Sequence, residues 1–95
     1  MPGEALRVFE VNMLEFPTSY NTYDSYAYVL RQKGDLVNSI RYYNLGLQIL
    51  KKYPQLKNSA SVLKDAENAV KAINEMELEI KNQTATFFRF SILPG

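Results

Sequence analysis

The sequence predicts an all-α protein of about four helices, folded as antiparallel helix hairpins and followed by a β-like tail. Three observations carry that expectation. Apolar residues recur every three or four positions through four segments, the spacing of one helix face. Pro17, Gly34-Asp35 and Pro54 interrupt those segments, and the two-residue Gly34-Asp35 turn makes the helices on either side of it an antiparallel hairpin. From residue 84 onward the pattern turns aromatic and β-branched, with period two.

The first helix is expected over residues 4–16, where Ala5, Leu6, Phe9, Met13 and Phe16 share a face. Glu4 near its start suits the positive end of the helix dipole, and Pro17 ends it. Thr18-Ser19-Tyr20-Asn21 is a polar connector that offers capping side chains. The second helix is expected over residues 21–33, with Tyr23, Tyr26, Ala27 and Leu30 inward. Gly34 supplies a left-handed C-terminal residue and Asp35 a cap for the third helix.

That third helix, residues 36–53, carries Leu36, Ile40, Tyr43, Leu47 and Leu50 as its buried stripe and stops at Pro54. After a loop over 54–58, a fourth helix is expected over residues 59–83. Its Val62, Ala66, Ala69, Ile73, Met76 and Ile80 make a heptad seam, flanked by a charged face of Lys64, Asp65, Glu67, Lys71, Glu75 and Glu79. The seam predicts packing against the preceding hairpin; a short coiled coil is the competing reading. In residues 84–93, Phe88, Phe90 and Ile92 alternate with Arg89 and Ser91, which predicts a strand within an extended tail over 84–95. No other segment could pair with it, so Phe88, Phe90 and Ile92 are expected to mediate self-association.

Ninety-five residues suffice for one domain. Eleven basic and ten acidic side chains leave a net charge of +1, too little to draw nucleic acid by bulk charge. Lys51, Lys52 and Lys57 form a small basic cluster without interleaved aromatics, so no nucleic-acid partner is expected. The chain has no Cys and no His, which excludes thiol chemistry, imidazole bases and Cys/His zinc sites. The glycines are isolated, and Ser25 lacks the flanking glycines of a nucleophile elbow. The paired carboxylates fall on the heptad helix and serve its solubility. No catalytic residue, metal or cofactor is expected. Met1-Pro2-Gly3-Glu4 does not read as a signal peptide, and no apolar run is long enough to cross a bilayer, so a cytoplasmic protein without membrane contact is expected. A fragment of a secreted parent would read the same way.

An internal repeat sharpens this picture. Ala5-Leu6, Phe9 and Asn12 correspond to Ser39-Ile40, Tyr43 and Gly46 at a constant separation of 34 positions, a period typical of helical-repeat solenoids. Residues 20–53 resemble one whole tetratricopeptide repeat, and residues 5–19 resemble the second helix and exit of a preceding one. Tyr23 stands at the family's early aromatic, Tyr26-Ala27 at its Leu-Gly pair, and Leu30 at the later aromatic or Leu position. Gly34-Asp35 follows at the turn, with Ser39 and Gly46 at the two small positions and Tyr43 between them. Departures are Tyr26, larger than Leu; Ser39, in place of Ala; and Asn12, polar at a packing position. Residues 59–83 fit poorly because of Lys64 and Glu67, and are expected to be a capping helix with a polar outer face. The domain is then residues 1–83, its helices stacked in a right-handed superhelix.

The resemblance implies a non-catalytic protein-interaction or scaffold module that binds a protein or peptide. Its concave groove would be lined by Asp24, Tyr28, Arg31 and Gln32. A merely solvated helix face remains the competing reading of those four. Asp24 stands where a basic residue would grip a peptide carboxylate, so capture of an acidic C-terminus is disfavoured. A narrower resemblance is carried by Phe9-Glu10-Val11-Asn12, Phe16-Pro17-Thr18-Ser19 and Asn21-Thr22-Tyr23-Asp24-Ser25. These runs are similar to repeats appended to the C-terminal side of bacterial serine hydrolases of the esterase and β-lactamase-like type. That implies an accessory or oligomerisation domain. Because the chain begins within a repeat and ends on an unpaired strand, the expectation is a homo-oligomer or a piece of a longer chain.

Overall fold

Gly34-Asp35 and Pro54 become helix boundaries in the computed structural model, which describes residues 2–15 and 19–92, with side chains for 6–15 and 19–85. The helices are α1 (Pro2–Glu15), α2 (Tyr20–Lys33), α3 (Leu36–Lys52) and α4 (Ala60–Ile92). The expected loop after α3 is a single 3₁₀ turn, Pro54–Asn58, which Pro54 enters without losing a needed N–H.

The α2–α3 turn is built as its residues predict. Gly34 adopts φ 94°, and its N–H donates to the Arg31 carbonyl while the Asp35 N–H donates to that of Leu30. This crossed pair satisfies carbonyls at the end of α2 and reverses the chain in two residues. The Asp35 carboxylate then accepts from the Asn38 N–H at 3.2 Å and from the Asn38 side chain at 2.8 Å, capping α3. Ser19 occupies the N-cap position of α2 but makes no side-chain capping bond; instead the Thr22 hydroxyl donates to the Ser19 carbonyl at 2.8 Å.

Small residues decide how closely α2 and α3 approach. Ala27, Ser39 and Gly46 are all buried, and the Ser39 hydroxyl donates to the Ala27 carbonyl at 2.6 Å. Serine so placed brings a polar atom into a dry interface with its partner already provided, at no desolvation deficit. Tyr43 is buried nearby, whereas Tyr23 and Tyr26, expected in the core, are only half-buried. Tyr26 packs edge-on against Tyr42, ring centroids 4.7 Å apart.

The heptad seam of α4 meets the hairpin. Ala69, Ile73 and Met76, with Ala72, form one buried cluster with Ala27 and Tyr43, while Val62, Ala66 and Ile80 are half-buried at its edges. On α1, Met13 is buried and Leu6 and Phe9 half-buried, leaving Val8, Val11 and Leu14 exposed.

The C-terminal strand is a correction. Helix α4 continues through Thr84 to Ile92. A lone strand would leave its backbone groups unpaired, whereas extending a helix satisfies each one within the segment, and no Pro or Gly interrupts residues 60–92. The alternation of Phe88, Phe90 and Ile92 thereby loses its meaning. Successive residues of a helix turn by about 100°, so positions 88 and 90 are nearly opposite in register, and an unpaired strand no longer supplies the ground for self-association there. Their side chains, and residues 93–95, lie outside the described residues, as does Phe16-Pro17-Thr18.

At 33 residues, α4 is about 50 Å long, against roughly 21 Å for α2 and 26 Å for α3. It therefore outruns the hairpin: after Ile80, Lys81 to Ala85 are all exposed. The radius of gyration, 16.0 Å, exceeds the ~12 Å of a spherical domain of this length for the same reason.

Candidate functional site

Asp24, Tyr28, Arg31 and Gln32 occupy one face of α2, since steps of four, three and one keep them within a narrow arc. The structure brings Arg31 and Asp24 near α4, beside Glu75 and Asp65, and leaves the four in different surroundings. Asp24 is half-buried. Tyr28 stands 56% exposed and Gln32 is exposed. Arg31 is half-buried, its guanidinium donating to the Glu75 carboxylate of α4 at 3.0 Å. Both partners retain solvent contact, so this ion pair contributes under ~1 kcal/mol to stability; its larger effect is to fix where the guanidinium points.

At the other end of the face, Tyr20 is buried and its hydroxyl donates to Asp24 at 3.4 Å, a long bond. Burial raises the Asp24 carboxyl above the ordinary 3.8, and the Asp65 carboxylate of α4 adds to that rise; the Tyr20 hydroxyl opposes it. The Tyr20 and Tyr43 hydroxyls are also raised, first by burial and then by the Asp24 charge. Arg31 partly offsets the rise at Tyr43. Both phenols stay neutral at physiological pH, and that of Tyr20 acts as a hydrogen-bond donor.

Asp65 and Glu75 were the residues that sequence reasoning missed, both read as part of a solvated helix face. The available signal was the heptad itself: positions beside an apolar seam lie next to the helix that covers it and pair across the interface. Beyond Arg31 the face opens into a cleft of about 550 Å³ between the α2–α3 turn and α4, bordered by Asp35, Val37, Glu79 and Gln83. Among the described residues, no group of three or more acidic side chains is placed to hold a metal ion, and no helix is long and apolar enough to cross a membrane. What the face offers is one exposed aromatic ring, a fixed guanidinium, an amide and a carboxyl within a single helix length.

The raised Asp24 carboxyl has a direct consequence. In the window just above 3.8 the folded chain holds a proton that the unfolded chain has released, so stability falls as pH rises through it. Asp24→Asn is therefore expected to melt above the wild type at about pH 7 and level with it at about pH 3, where the carboxyl is protonated in both states. Thermal melts followed by circular dichroism across that range check this. An equal separation at both ends would show that the Asp24 charge is not what destabilises the fold.

Compared with known protein families, curated proteins and solved structures, the chain matches none.

Proposed function

We infer that this chain is a non-catalytic protein-interaction module of tetratricopeptide type, recognising a peptide segment along the α2 face. The observation that carries the reading is Tyr28: a large ring left 56% exposed beside Arg31, whose guanidinium Glu75 holds in place. Tyr, Trp and Arg are enriched among the residues that anchor protein interfaces; Tyr buries a large surface with few rotamers to lose, and Glu75 already holds the Arg31 guanidinium in place. The 34-position repeat and the buried Ala27, Ser39 and Gly46 support the family resemblance. An accessory role beside a serine hydrolase rests on the runs within residues 9–25 alone, and the geometry adds nothing to it.

Selection of displayed random peptides on the folded chain tests the site. Peptides enriched on the wild type are expected to lose at least about tenfold in affinity on Tyr28→Ala and on Arg31→Ala, with circular dichroism unchanged. Equal binding to both variants would remove this face as the recognition surface.

A further inference from the structure

The opposite flank of α4 carries a second surface. Between α3, the 3₁₀ turn and α4 runs a groove of about 540 Å³, floored by Leu47 and Leu50, walled by Leu63 and Val70, and edged by Lys51 and Lys57. Leu63 and Val70 are 45% and 48% exposed although they face an apolar floor. They stand one heptad apart, with small Ala66 between them, and the next position of the same stripe is the exposed Glu77. Neither Lys57 nor Glu77 has a charge partner among the described residues.

We propose that this groove pairs two copies of the chain, α4 against α4, antiparallel about a twofold axis between positions 66 and 67. Self-complementarity is the argument. A twofold interface must satisfy itself with one surface used twice, and this register does so for the apolar pair that walls the groove. Leu63 of one copy lies against Val70 of the other, and the reverse contact forms simultaneously. Ala66 at the axis lets the helix backbones come near. The same register carries Glu77 of one copy past the N-terminus of α4 in the other, which begins at Ala60, toward the 3₁₀ turn that holds Lys57 at the groove's edge. Lys51 supplies positive charge where the two Glu67 carboxylates approach. The pairing leaves the α2 face open and does not depend on what that face binds.

A contact this short falls at the low end of interface sizes, so the dimer is weak and concentration-dependent. Sedimentation equilibrium is expected to show the mass rising from monomer toward dimer between about 10 μM and 1 mM. Lys57→Glu or Glu77→Lys should each weaken association about tenfold, and the double reversal should bring it back within about threefold of wild type.

The chain has no cysteine, so Glu67→Cys tests the axis directly. Mild oxidation should give a covalent dimer at least about tenfold faster than the control Asn44→Cys, which is exposed on α3. Monomeric mass throughout the range, equal cross-linking rates, or a dimer indifferent to the charge reversals would each overturn the proposal. A groove that instead binds an unrelated acidic helix while the chain stays monomeric falls under the first of these.

Discussion

Gly46→Leu is expected to lower the unfolding free energy by about 3 kcal/mol, while Gly46→Ala stays within about 1 kcal/mol of wild type. The difference comes from what lies over the Gly46 Cα. A methyl built there meets the Tyr20 ring at 3.2 and 3.3 Å and the Tyr23 Cβ at 3.3 Å. The ring could swing, but Tyr20 is only 4% exposed, so it has little room. The Tyr23 Cβ is fixed to the backbone of α2 and moves only if the whole helix moves. Alanine therefore needs a shift of a few tenths of an ångström, and the resulting strain is offset by the roughly 1 kcal/mol that a helix interior gains when glycine is replaced. A leucine side chain adds three further carbons with nowhere to go, so α2 and α3 must part. The separation would also lengthen the 2.6 Å bond from Ser39 to the Ala27 carbonyl. Urea denaturation at neutral pH measures both variants. A Gly46→Leu variant as stable as wild type would mean that the two helices do not approach as described.

That close approach was legible in the sequence, and the reason is local. A helix end marked by Gly34, a cap by Asp35, and small residues at 27, 39 and 46 on faces that a two-residue turn brings together leave one arrangement open. The seam of α4 was legible for the same reason: a heptad of Val, Ala, Ile and Met has one apolar side, and the hairpin offers the surface to cover it. What could not be read is whatever depends on residues far apart in the chain. Arg31 and Glu75 are 44 positions apart and meet because α4 lies along α2. Asp24 is raised first by its burial and then by the Asp65 carboxylate, which the same docking brings near.

The C-terminal segment misled for a different reason. Phe88, Phe90 and Ile92 show period two over only five residues, and so short a run also fits within a helix. Helix continuation from residue 83 adds one backbone hydrogen bond per residue without a new nucleation step, whereas a strand there had no neighbour. Propagation outweighed propensity. The tyrosines show the limit of counting by position: Tyr26 sits where the hairpin packs, yet its ring stacks edge-on against half-buried Tyr42 and stays outside the buried cluster.

Met76→Ala is expected to cost about 3 kcal/mol, against less than about 0.5 kcal/mol for Leu78→Ala two residues along the same helix. Met76 is fully buried in the cluster with Ala27, Tyr43 and Ile73, whereas Leu78 is 58% exposed. Removing the thioether leaves a void under the middle of α4 that rigid helix backbones fill only in part, which is why the cost exceeds the transfer free energy alone. The same substitution has a second readout, at the candidate site. Asp24 is raised because α4 helps to bury it and brings the Asp65 carboxylate near. A loosened α4 readmits water and moves that charge away, so the Asp24 carboxyl should titrate lower in Met76→Ala than in wild type, while Leu78→Ala leaves it in place. Carboxyl chemical shifts followed through an acid titration give the comparison. A loss of stability without movement of Asp24 would separate the docking of α4 from the electrostatics of the α2 face. Movement of both together would establish that α4, through Met76, sets the protonation of the surface that carries Tyr28.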